Sequence, residues 1–118
     1  MSERGAGCLF CRIVAGEVPA KLLHQDERVV AFRDVNPKAP FHALIVPVEH
    51  VATLDDLGEG QSGLAGEVVL RATRLAREHG LAEGGYRLVW NCGVDAGQTV
   101  FHLHLHLLGG RGFSWPPG

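Results

Sequence analysis

The segment Phe101-His102-Leu103-His104-Leu105-His106-Leu107 alternates apolar side chains with imidazoles. A period of two belongs to a β-strand, and it sets three rings on one face and a purely apolar row on the other. The segment is therefore predicted as a strand whose Phe101, Leu103, Leu105 and Leu107 lie beneath a helix, so that packing rather than a mobile loop positions the imidazoles. A solvated sheet face can alternate in the same way. Of the seven histidines only four lie elsewhere, however, so three at spacings of two are a poor match to chance.

The remaining pattern supplies what such a strand would pack against. Leu9, Phe10, Ile13 and Val14 recur at helical spacing between Cys8 and Ala15, before Gly16 and Pro19 stop the pattern. Lys21–Gln25 and Val29–Arg33 read as two strands joined by a hairpin loop. His42–Val46 reads as a buried strand after the proline-stiffened loop Asn36–Pro40. The long helix is marked by the stripe Leu64, Val68, Ala72, Leu75 and Ala76, with Gly80 as its stop. A further strand is expected over Tyr86–Asn91, followed by a glycine-bearing loop, Gly93–Gly97. Antiparallel connections with helices on one face predict an α+β sandwich.

At 118 residues the chain is expected to form one domain, 1–118. No apolar run approaches the ~20 residues of a spanning helix, so no membrane role is expected. Eleven basic against 13 acidic residues give a net charge of −2, too little positive charge to hold a polyanion, and nucleic acid is not an expected partner. The opening residues lack the apolar stretch of a secretory signal, and three cysteines cannot all pair within one chain. The expected setting is the reducing cytoplasm.

Three imidazoles on a strand can serve a metal or a phosphate. A rise of ~3.3 Å per residue parts the first and third Cα atoms by ~13 Å, too far for one ion with bonds of ~2 Å, although two adjacent members could share one. Phosphate chemistry suits all three. Neutral histidine is a nitrogen nucleophile near pH 7, and protonated histidine donates to phosphoryl oxygens. Gly97 permits close backbone approach, and N–H groups around Gln98 and Thr99 are expected to form an anion nest.

His102-Leu103-His104-Leu105-His106-Leu107-Leu108 resembles the signature of the histidine triad superfamily. Asn36–Pro47, Gly97–Val100, Gly109–Arg111 and the closing Trp115-Pro116-Pro117-Gly118 are similar to its Hint branch, the histidine triad nucleotide-binding proteins. The resemblance runs from about Cys8 to the last residue. It implies a five-stranded antiparallel sheet with one long and one short helix, in a homodimer whose sheets join into ten strands. It implies hydrolysis of purine nucleoside phosphoramidates through a nucleotidyl-histidine, with no cofactor needed for catalysis. By motif position His104 would be the nucleophile, with His106, His42 and Thr99 completing the catalytic set; the branch usually has serine in place of Thr99. Asn91, Gly97 and Gln98 would face the phosphate, and Asp34 the ribose. Leu9, Phe10, Ile13, Phe32 and Val35 would wall the base. Read on their own, Asp34 caps a turn and Phe10, Ile13 and Phe32 are plain core. His24 and His79 match no role and are expected at the surface.

Cys8-Leu9-Phe10-Cys11 is a two-spaced thiol pair, half of a zinc pattern, and the resemblance suggests His50 and His102 as the other ligands of a structural zinc. The alternative is two reduced thiols packed as small hydrophobes. Cys92 is expected as a lone buried thiol. Residues 1–7 are expected to be flexible, and 109–118 to form a tail at the dimer interface, with Trp115 near the partner's site. Two further readings stay open: a nucleotide-binding regulatory module with little turnover, and a dinucleoside polyphosphate hydrolase.

Overall fold

A computed structural model describes residues 7–118; the stretch expected to be flexible lies outside it, apart from Gly7. Helix α1 (Leu9–Val14) is followed by strands β1 (Leu22–Gln25), β2 (Val29–Arg33) and β3 (Phe41–Pro47). Helix α2 (Ser62–Glu78), β4 (Tyr86–Val89) and β5 (Leu105–Gly109) complete the fold. The five strands form one sheet in the order β1-β2-β3-β5-β4, and every pairing is antiparallel. The fold is α+β, as expected.

Local chemistry accounts for the turns. Asp26 Oδ1 accepts the N–H groups of Arg28 and Val29 at 2.7 and 2.8 Å, closing the β1–β2 connection as an Asx turn. Helix α2 ends where Gly80 takes φ +74 and the Leu81 N–H returns to the Ala76 carbonyl at 2.8 Å. Leu81 then lies on Gly109, where a Cβ would fall 2.8 Å from its Cδ1, so the end of the long helix seats on the end of β5.

Strand alternation divides the core in two. Val29, Ala31, Ala43, Ile45, Leu105 and Leu107 face one way and bury with Val68, Ala72, Leu75 and Ala76 of α2. Val30, Phe32, Leu44 and Val46 face the other way and pack on Cys8 and Phe10. The helices thus cover opposite faces, not one face as the sequence pattern suggested. The apolar row of α1 is short, but Phe10 reaches a sheet surface that α2 cannot occupy.

The histidine segment departs from its prediction. Only Leu105–Gly109 is strand, so His102 and His104 precede it. Main-chain bonding explains the break: the Leu103 N–H turns to the Val51 carbonyl at 2.6 Å instead of the β3 ladder. Leu103 buries against Val51 and Leu64, whereas Phe101 is 39% exposed and anchors nothing beneath the helix. Strand β4 stops at Val89, short of Asn91. Among the described residues no helix is long and apolar enough to cross a membrane.

Candidate active site

The face covered by α1 holds a cleft of about 400 Å³. Leu9, Phe10 and Ile13 of α1 form one wall, and Phe32, Asp34 and Val35 form another. Thr99, His104 and His106 close its end. These nine residues were all expected from the sequence. Leu44, Val18, Pro19, Ala20 and Val100 complete the apolar lining and were missed; Leu44 carried a signal, since it shares the parity of His42 along β3. Phe10 is central, its ring meeting Phe32 at 5.4 Å and His104 at 5.0 Å in edge-on contacts.

Hydrogen bonds assign the proton on each ring. His104 Nδ1 lies 2.7 Å from the carbonyl of His102, which can only accept, so Nδ1 carries the proton and Nε2 holds the lone pair. His42 Nδ1 accepts the Lys38 N–H at 3.0 Å, which places the neutral ring's proton on Nε2. That Nε2 is 2.9 Å from His106 Nδ1 and 3.4 Å from Asp34 Oδ2. His106 Nδ1 is then the acceptor and its Nε2 carries the proton. Two adjacent rings, 5.1 Å between centroids, therefore hold opposite tautomers: a nucleophile in His104 and a donor in His106.

Burial keeps these rings uncharged. It lowers the pKa of His106 to about 4, with the neighbouring His104 and His42 adding to the effect. It lowers His104 as well, partly offset by the His102 carbonyl and Asp34. His42 is lowered by burial against the opposing pull of Asp34. Near neutral pH all three are nucleophile or neutral donor, not cation.

Asp34 caps its turn, its Oδ1 accepting the Asn36 N–H at 2.9 Å, and also borders the cleft. Gln98 behaves otherwise. It is buried, its Oε1 accepts the Gly93 N–H, and its Nε2 donates to the carbonyls of Ala52 and Val100. The Gln98 and Gly97 N–H groups are also spent, on Gly93 and Val94, so of the expected nest only Thr99 reaches the cleft. Neither Asn91, Gly97 nor Gln98 lines it. Trp115 is 80% exposed on this chain, and Cys92 is exposed rather than buried. His79 is exposed as expected, and His24 is half-buried by its 2.6 Å contact with Asp26.

A second cluster lies on the far side of His102. The Sγ atoms of Cys8 and Cys11 stand 3.3 and 3.5 Å from His102 Nδ1, and Cys11 Sγ is 3.3 Å from His50 Nδ1. The two nitrogens are 3.2 Å apart, and all four atoms lie within 4.8 Å of one another. A tetrahedral zinc with bonds of ~2.05 Å to nitrogen and ~2.3 Å to sulfur requires N···N of ~3.3 Å and S···N of ~3.6 Å. The donor set fits. His102 Nε2 is 2.8 Å from the Pro47 carbonyl and donates to it, which aims the Nδ1 lone pair at the thiols, the arrangement of a ligand histidine. Burial raises the Cys8 thiol pKa, so a cation is needed to keep it ionised. Asp34, His42 and His106 also lie close enough to share an ion, but the Lys38 N–H bonded to His42 Nδ1 keeps that ring's proton on Nε2, the nitrogen that would have to bind it.

Residues 15–113 match the HIT domain family. The purine nucleoside phosphoramidase of Escherichia coli (strain K12) is 41% identical over 103 residues, covering 87% of each chain. The structure of a HIT family hydrolase from Legionella pneumophila Philadelphia 1 superposes with a TM-score of 0.93 at 50% identity, covering 94% of this chain and 99% of that one. A histidine triad protein from Clostridium difficile gives 0.91 at 38% identity, covering 94% and 96%. The histidine cluster, the sheet that carries it and these likenesses converge: the chain belongs to the HIT domain family.

Proposed function

We propose that this protein hydrolyses purine nucleoside phosphoramidates, as a Hint-type member of the family, through a nucleotidyl group carried on His104. The observation that carries the reading is the 2.7 Å bond from His104 Nδ1 to the His102 carbonyl, which leaves Nε2 as a lone pair on a ring at the end of an apolar cleft. The cleft is of a size and polarity suited to a purine, and Asp34 at its rim suits ribose hydroxyls.

In the first step the Nε2 lone pair of His104 forms a bond to the α-phosphorus. The P–N bond breaks, its electron pair leaves on the amine, and that nitrogen takes a proton from solvent, with the exposed Thr99 hydroxyl on the same wall to relay it. The attacking ring becomes a cation, which the His102 carbonyl stabilises through Nδ1–H. His106 Nε2–H donates to a phosphoryl oxygen as charge gathers there. Water then forms the new P–O bond and releases a proton to solvent, the P–N bond to His104 breaks, and the electron pair returns to Nε2.

Cys8, Cys11, His50 and His102 would hold a structural zinc, which as a closed four-ligand set would crosslink α1 to the segment before β5 and take no part in the chemistry. The open edge of β4 and the exposed Trp115 support a homodimer joined along β4, in a cytoplasmic setting that keeps the thiols reduced. Rapid quench with adenosine 5′-phosphoramidate tests the reading: a burst of amine equal to the enzyme present, with AMP covalently on His104, is expected. Nucleotide binding without turnover would refute it in favour of the regulatory module.

A further inference from the structure

Two arginines grip the segment after β5. Arg87 of β4 donates from Nη2 to the Ser114 carbonyl at 2.9 Å and lies 5.1 Å from the Phe113 ring. Arg111 lies 4.2 Å from the same ring and donates from Nη1 to the Gly112 carbonyl. Only Arg111 also reaches the β2–β3 loop: its Nε and Nη2 both donate to the Lys38 carbonyl, at 3.1 and 3.0 Å. The approach is close along the whole contact. Gly110 has φ +91, and a Cβ there would stand 3.0 Å from Pro40 Cβ, so the chain lies directly on that loop.

Lys38 is the residue whose N–H fixes the proton of His42. With that N–H on Nδ1, His42 donates from Nε2 to His106, and His106 presents Nε2–H to the cleft. A neutral imidazole whose Nδ1 partner is withdrawn can carry its proton on either nitrogen. Were His42 to hold it on Nδ1, its Nε2 would become an acceptor. His106 would then donate from Nδ1 and present a lone pair where the phosphoryl oxygen needs a donor. The polarity of the His42–His106 pair is thus set from its outer end.

We infer that Arg111 is a positioning residue: by holding the Lys38 carbonyl it fixes the tautomers of His42 and His106, neither of which it touches. The consequence for catalysis rests on the reaction proposed above; the consequence for the tautomers does not. The test is long-range 15N–1H NMR of the imidazoles together with steady-state kinetics on adenosine 5′-phosphoramidate. In the unaltered protein both rings are expected as Nε2–H. Arg111→Ala should give mixed tautomers on both, with kcat at least about tenfold lower and KM within about twofold. Lys38→Pro deletes the N–H while leaving Arg111 in place, and should give the same signature even if Arg111→Ala does not fold. Arg87→Ala loosens the same tail without touching Lys38 and should leave the tautomers unchanged. Retention of Nε2–H on both rings in a folded Arg111→Ala, or in Lys38→Pro, or an equal shift in Arg87→Ala, would overturn the inference. A tautomer shift in a protein that turns over no phosphoramidate would uphold the link and remove the proposed reaction instead.

Discussion

His102 serves His104 through its backbone and the cysteine cluster through its ring. Its carbonyl accepts the His104 Nδ1 proton at 2.7 Å, while its Nδ1 lies 3.3 Å from Cys8 Sγ. The proposed nucleophile is therefore one main-chain bond away from the proposed metal centre.

Loss of the metal should reach the active site through that bond. Cys11→Ser is expected to lower bound zinc well below one ion per chain by elemental analysis and to lower the melting temperature by several degrees, at ~4–8 °C per kcal/mol for a small domain. Chelation of the unaltered protein should do the same and reduce kcat, with KM moving less. A chain that binds no zinc, or melts identically without it, returns the cysteines to the role of packed thiols.

His104→Ala removes the attacking nitrogen and leaves the apolar walls in place. Hydrolysis should fall by at least about a thousandfold, and no nucleotidyl adduct should appear by mass spectrometry. AMP binding by calorimetry should stay within a few-fold of the unaltered protein.

Thr99→Ser keeps the hydroxyl and frees its rotamer, so kcat should stay within about threefold. Thr99→Ala deletes the donor and should cost more than tenfold, about 1.4 kcal/mol or more. Equal rates in the two variants would show that the hydroxyl takes no part.

The histidines also make stability depend on pH. Unfolded histidine takes up its proton below ~6.5, whereas native His106 does so only near pH 4, and native His42 is lowered in the same direction. Across that interval the unfolded chain binds more protons. Stability is thus fully present above pH 6.5 and declines as the pH falls toward 4. Thermal melts from pH 7.5 to 4.5 should show the decline, and His106→Gln should flatten it.

Phe10 joins the wall of the cleft to the core. Phe10→Ala should cost ~3–5 kcal/mol in chemical denaturation. It should also raise KM, because the edge contacts with Phe32 and His104 vanish together.

Much of this was legible in the chain. The period of α2 named its buried stripe residue for residue, and the motif brought His104, His106, Asp34 and the α1 residues to one cleft, with His42 buried behind His106. Three things escaped. Alternation alone does not show that Leu103 gives its N–H to Val51, so the strand expected from it starts four residues before the real one. Gln98 looked like a phosphate contact because a polar side chain in a glycine loop reads the same whether it meets a ligand or braces the loop. The link from Arg111 to Lys38 spans 73 positions and rests on two carbonyl contacts, which no local pattern records.

The division of the sheet has an evolutionary reading. Along β2 and β3 one parity of residues faces α2 and the other faces the cleft, so neighbours in sequence answer to different constraints. Substitutions at Phe32 or Leu44 can reshape what the cleft admits while the long helix keeps its seat. Specificity can drift on one side of the sheet under the protection of a scaffold held by the other.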